Sequence, residues 1–308
     1  MVLRRLLVLG PQLRRSSRPR IRLSAASVVV AGALALCAPF ASAHDGLEER
    51  IAGVTAQLAE NPTDAALLVR RADLYRQARR WKQAFADLDR AERADPAPPA
   101  AGLVRAHVLL DSHDWRSAAE AATQFLARQP GNADALIVRG RARARIGQAR
   151  SAATDFTHAL EELPLPDVYS ERARALAGLG GTGLEEALRG LDEGISRLGP
   201  VASLELEAVD LDLRLRRYDA ALVRLDRVSA QAQRKETWQA RRGEVLEQAG
   251  RLDQARAAYG EAMDSARTQP PHIRETRSSA ALIERLTAAI ERLDVNITTA
   301  SHGLKRNP

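Results

Sequence analysis

The stretch WKQAFADLDRAERADP, residues 81–96, returns as WRSAAEAATQFLARQP, residues 115–130, with matches at Trp81 and Trp115, Ala84 and Ala118, and Pro96 and Pro130. The chain is only 4% aromatic and holds three tryptophans, so two of them in one register form a pattern rather than an accident. The same 34-residue interval extends outward. Pro62, Pro96, Pro130 and Pro164 keep it, as do Arg71, Arg105 and Arg139, each followed by a small residue at Ala72, Ala106 or Gly140. Ala152 continues the Ala84 and Ala118 series, and Phe156 stands where Leu88 stands. Self-similarity at one such period marks stacked units, none of which buries its apolar face alone.

Within a unit the apolar spacing is helical. Leu68, Ala72 and Tyr75 fall at i, i+4 and i+7, and Ala84, Leu88 and Ala91 do the same on a second segment. Small residues at Ala72 and Ala84 allow the two helices to approach closely where they cross. Each repeating proline lacks an N–H and disfavours helix just before it, so it ends one helix and opens the next element.

A helix, a turn and a helix in 34 residues resembles the tetratricopeptide repeat, and the resemblance covers residues 65–269. Units at 65–98, 99–132 and 133–166 keep the spacing, whereas Arg172-Ala173 restarts the pattern one residue early and GGTG (180–183) lengthens a turn. A fifth unit carries RRYDAALVRLDRV (216–228), with Tyr218 in the tryptophan's place, and a sixth carries RRGEVLEQAGRLDQARAAYGEA (241–262). The resemblance implies an all-α fold, a right-handed solenoid over 63–269 built of about six helix-turn-helix units. Solenoid ends need caps. One is expected over 44–62, from Leu47, Ile51, Val54 and Leu58, and another over 270–295, from Leu282, Leu286, Ile290 and Leu293. The tail 296–308 lacks periodicity and is expected to be disordered.

The net charge of +7 invites a nucleic-acid reading, which fails on location. Arg4, Arg5, Arg14, Arg15, Arg18, Arg20 and Arg22 all precede residue 44 and no acidic residue does, leaving 39 basic against 39 acidic residues beyond them. A body of zero net charge lacks the footprint of phosphate-backbone binding, so no nucleic-acid partner is expected. The basic segment, the apolar run SVVVAGALALCAPF (27–40) and Ala41-Ser42-Ala43 together read as a secretory signal peptide, residues 1–43, cleaved after Ala43. An uncleaved membrane anchor is the lesser alternative. The only cysteine, Cys37, leaves with the signal, so the fold must rest on packing in a bacterial periplasm or outside the cell.

Catalytic constellations are absent from the sequence. Gly178, Gly180 and Gly183 satisfy G-x-G-x-x-G, but the helical ERARALA precedes them where a dinucleotide site needs a strand. No two histidines stand at i+3 or i+4. His44 at a mature N-terminus would present an amine and an imidazole suited to Cu(II), yet Asp45 and Gly46 add no second imidazole. No enzyme activity, cofactor or metal is therefore expected. Arg71 precedes Asp87 by 16 residues and Arg139 precedes Asp155 by the same number, which reads as ion pairing between the helices of one unit.

Proteins similar to this one line a concave groove with their first helices and hold a protein or peptide segment there. By repeat phase the inward-facing candidates are Asp73, Arg76, Gln77, His107, Asp111, Arg141, Arg145 and Arg174. Arg141 and Arg145, one helical turn apart, are expected to grip a carboxylate together. The subtype that clamps a partner's C-terminal carboxylate with Lys and Asn is not matched, since Val69 and Asp73 occupy its positions. The expected function is a periplasmic protein-protein interaction module, monomeric or part of a hetero-complex and off the membrane after cleavage. The alternative is a permanent scaffold subunit of an envelope complex.

Overall fold

A computed structural model describes residues 38–304, and every regular element in it is helical. The chain divides into two compact units, Met1–Gly53 and Val54–Pro308. Of the first, the described part is helical backbone from Ala38, the start of α1 (Ala38–Glu60). The expected export segment 1–43 lies almost wholly outside the described residues, as does the side chain of His44. No helix among the described residues is long and apolar enough to cross a membrane.

The second unit holds the repeats, six helix pairs among the described residues. They are α2 (Ala65–Gln77) with α3 (Trp81–Glu92), α4 (Pro99–Asp111) with α5 (Trp115–Leu126), and α6 (Ala133–Arg145) with α7 (Ala149–Glu162). Then come α8 (Pro166–Ala177) with α9 (Thr182–Leu198), α10 (Ala202–Arg214) with α11 (Tyr218–Gln231), and α12 (Glu236–Gln248) with α13 (Leu252–Arg267). The first three pairs start where the 34-residue interval puts them, and α8 starts one residue early, as expected. The lengthening expected in the GGTG turn falls mainly elsewhere: α9 runs to 17 residues, against 12 in α3.

Local chemistry sets the ends. Asp64 accepts hydrogen bonds from the Ala66 and Leu67 N–H groups, and Asn132 accepts one from Ala135, satisfying donors that the first turn leaves open. Pro99 and Pro166 sit in the first turns of α4 and α8, where a missing N–H costs nothing. The first helix of each pair closes at a left-handed residue, Arg79 (φ 56°), His113 (φ 67°) or Gly147 (φ 81°) in the first three. The following N–H groups of Arg80, Asp114 and Gln148 donate back to the carbonyls of Tyr75, Leu109 and Arg143, which is the Schellman pattern.

Between the helices of a pair the small positions are buried. Ala72, Ala84, Ala106, Ala118 and Ala152 are all 0% exposed. Volume is traded across the crossing. A Cβ placed on Gly140 would lie 2.7 Å from the Phe156 ring, and one on Gly243 would collide with Tyr259, the residue in the same register. The buried core forms successive clusters along the stack, one spanning α5 to α10 and another spanning α10 to α15 (Arg277–Leu304), which the short α14 (Pro271–Arg274) precedes. Leu282, Leu286 and Leu293 are buried there with Ile290 packed beside them, and Val54 and Leu58 of α1 are likewise buried. The C-terminal segment departs from expectation, because α15 continues past 295 to Leu304. Ile297, one turn beyond Leu293, packs against the same core and prolongs the apolar stripe. Residues 305–308 lie outside the described residues.

The expected ion pairs form, Arg71 Nε to Asp87 at 2.6 Å and Arg139 to Asp155 at 2.7 Å, with Arg143 adding a second cation to Asp155 at 2.8 Å. They differ from weak surface pairs in burial, since Asp87 and Asp155 are 4% and 1% exposed. Arg105 finds alanine at 121 and turns instead to Asp89 and Glu92 of α3, at 2.6 and 2.8 Å. Asp155→Ala should strand two arginines beside a buried void and cost about 3–5 kcal/mol. Asp89→Ala, at a half-exposed carboxylate, should cost no more than about 1 kcal/mol. Urea unfolding of both variants checks this, and equal losses would contradict it.

Candidate functional site: the inner face of the repeats

The first helices of successive pairs pack on one another, α2 on α4, α4 on α6, α6 on α8 and α8 on α10, whereas the second helices make no comparable contacts among the described residues. First helices therefore form the inner layer and second helices the outer one. A row of charges crosses from each inner helix to the next. Arg76 of α2 bonds Asp111 of α4 at 2.6 Å, and His107 of α4 donates from Nε2 to Asp134 of α6 at 2.9 Å. Arg141 of α6 donates from Nε to both carboxylate oxygens of Glu171 on α8, at 3.1 and 2.9 Å. Arg174 of α8 pairs with Glu207 of α10, and Arg241 of α12 reaches Asp210 of α10 at 2.7 Å.

These rungs are mutually reinforcing. Burial opposes the Arg76 charge, but hydrogen bonds from its guanidinium to Asp111 and Asp73 outweigh that and hold its pKa above the usual arginine value. The His107 hydrogen bond holds Asp134 below the usual carboxylate range against its partial burial, and the charges of Arg141 and Arg76 add to the effect. Asp73 is shared by Arg76 at 2.7 Å and Gln77 at 2.8 Å.

All eight sequence candidates thus sit on inner helices, yet they are occupied differently from what was expected. Asp73, Arg76, Gln77, His107, Asp111, Arg141 and Arg174 are engaged with one another or with acids on neighbouring helices. Arg141 is paired with Glu171 of α8. Arg145 instead lies over the Trp115 ring, 5.8 Å from its centroid, and among the described residues it pairs with no carboxylate.

Repeat phase missed a pocket of about 1040 Å³ where the inner helices end at their turns. Arg145 and Trp115 line it with Arg79, His113, Leu110 and Leu179. Trp115 opens the outer helix α5, as its register predicts, and its half-buried ring is also a wall of the pocket. A signal for Arg79 and His113 was present. They are equivalent positions 34 residues apart, at the left-handed turn that glycine fills in the third pair. Residues 178–181 form the turn from α8 into α9, and Gly183 lies in the first turn of α9. Among the described residues no group of three or more His, Cys, Asp or Glu side chains is placed to hold a metal ion.

Comparison with known proteins agrees with this architecture. A tetratricopeptide repeat family matches residues 103–165, and a tetratricopeptide repeat-like domain family matches residues 184–278. No curated protein matches the chain. Among solved structures, a tetratricopeptide repeat protein from Parabacteroides merdae is 16% identical, with 80% of this chain and 95% of that one aligned at a TM-score of 0.49. Pseudomonas aeruginosa pilF is 16% identical over 73% of this chain and 96% of its own, at 0.48. YrrB, described as a repeat protein with an unusual peptide-binding site, is 20% identical over 57% of this chain and 90% of its own, at 0.47. Similarities this remote carry nothing about partner or activity. The chain carries tetratricopeptide repeats, folded as an all-α solenoid of a kind that generally serves as an interaction scaffold rather than an enzyme.

Proposed function

We propose that the protein is exported and that it holds a segment of a partner protein against the inner face of its repeats. The observation that carries the reading is the pocket of about 1040 Å³ at the turn ends of α4, α6 and α8, open to solvent and lined by both arginine and apolar side chains. A volume of this size suits several residues of an extended chain. The charge row along the inner helices supports the reading in another way. It ties adjacent units together, so the surface is formed before a partner arrives and less ordering entropy is lost on binding. Export rests on the basic segment, the apolar run and Ala41-Ser42-Ala43.

Two measurements test the two halves. The mature protein recovered from its own cells should begin at His44 by intact mass, and a full-length mass would overturn cleavage. Photo-crosslinkers placed in turn on inner helices α4 and α6 and on outer helices α5 and α7 should trap partners from the inner positions only, in reversible association. Trapping confined to the outer positions would contradict the reading. Recovery in fixed stoichiometry, with an obligate interface above roughly 2,000 Å², would replace it with a permanent structural subunit.

A further inference from the structure

We propose that the turn-edge pocket between α4, α6 and α8 is an anion-and-apolar subsite that selects an acidic partner segment in which a carboxylate neighbours a large apolar side chain. The inference rests on the interaction reading above and locates where recognition occurs. The charges of the central inner face are already satisfied: Asp111 by Arg76, Glu171 by Arg141 and Glu207 by Arg174. A ligand that used those groups would have to break a bond for each one it formed, so they contribute little net affinity. The turn edge is different. Four arginines line the pocket, Arg79, Arg141, Arg145 and Arg174, against two acids, Asp111 and Glu171. Pairing accounts for Arg141 and Arg174 and for both acids. Arg79 and Arg145 remain, exposed and with no carboxylate partner among the described residues.

Their settings favour anion capture. The guanidinium of Arg145 lies against the Trp115 ring, which limits its freedom and leaves its N–H edges for an acceptor. Arg79 is held at a left-handed turn residue, φ 56°, so its backbone is fixed by the Schellman bonds even though its side chain is exposed. Beside these cations lies apolar surface with no polar purpose. Leu179 is 47% exposed on the rim, and the half-buried Leu110 and Trp115 line the interior. A bare phosphate would leave that surface unused, and a nucleic acid would meet a body with no net positive charge beyond the seven arginines of 1–43. A peptide carrying Glu or Asp beside Leu or Phe uses both features.

The test uses the mature chain and three fluorescein-labelled hexapeptides, Glu-Phe-Glu-Leu-Glu-Phe and its analogues with Gln or Lys in place of Glu, read by fluorescence anisotropy. The acidic peptide should bind at least about tenfold more tightly than the Gln form at low salt, and weaken as salt rises. Arg145→Gln and Leu179→Asp should each weaken it about tenfold, while Arg256→Gln, on outer helix α13 and away from both the pocket and the inner-face row, should leave it unchanged. Far-UV circular dichroism and melting temperature confirm that each variant is folded, and Arg79→Gly, compatible with the turn, provides an independent loss of one cation. Equal binding of the Glu and Gln peptides, no effect of Arg145→Gln or Arg79→Gly, or tighter binding of oligouridine than of the acidic peptide would each overturn the proposal. Partner crosslinks on α4 and α6 without acidic-peptide selectivity would overturn this subsite alone, whereas crosslinks only on α5 and α7 would remove the interaction reading beneath it.

Discussion

The close crossing of the two helices within each repeat is the constraint on which the rest depends. An inner helix reaches its partner only where side-chain volume is small, and the first three pairs meet that demand in one register, whereas in the fourth the small residue is on the outer helix, Gly194 against Tyr169. Ala72 and Ala84 are fully buried at the first crossing, and glycine replaces alanine at 140 and 243, where Phe156 and Tyr259 bring in rings. A crossing set at one depth fixes the tilt of the next pair, because each unit is packed against its neighbour and not against a separate core. The buried Arg71–Asp87 and Arg139–Asp155 pairs then secure the crossing by hydrogen bonds in geometry that a slipped register would break.

The inner face inherits its form from that stacking. With first helices in succession about one packing distance apart, long side chains of one helix reach acids of the next, and a row of charge pairs follows. The sequence prepares a surface that is rich in charge yet internally neutral. The cations left without a carboxylate partner among the described residues, Arg79 and Arg145, lie at the edge of that face, where the inner helices end at their turns. Left-handed Arg79 and His113 stand at that edge, in positions where the third repeat has the less strained Gly147.

How much of this was legible follows the range of the interactions. Helix starts at Ala65, Pro99 and Ala133, the early start at Pro166, and both ends' apolar stripes came from local period and proline placement, which act within one or two turns of chain. The end of α15 was misjudged because Ile297 is a single apolar residue whose role depends on a core already built by Leu286 and Leu293. The eight candidates chosen by repeat phase all lie on the first helices of their pairs, since phase sets which helix of a unit a residue joins. Their pairing was not legible. Whether Arg141 meets a ligand or Glu171 depends on the distance between residues 30 positions apart on different helices, and no spacing rule within one repeat contains it. The burial of Asp87 and Asp155 escaped for the same reason.

The most direct test of the volume-matched crossing is a double-mutant cycle at Gly140 and Phe156, followed by equilibrium urea unfolding. Gly140→Ala alone should cost about 1–3 kcal/mol through overpacking against the ring. Combined with Phe156→Leu, which restores the pairing of small with branched seen at Ala72 and Leu88, the double variant should be more stable than the sum of the single losses by at least about 0.5 kcal/mol. Strict additivity of the two substitutions would contradict the account.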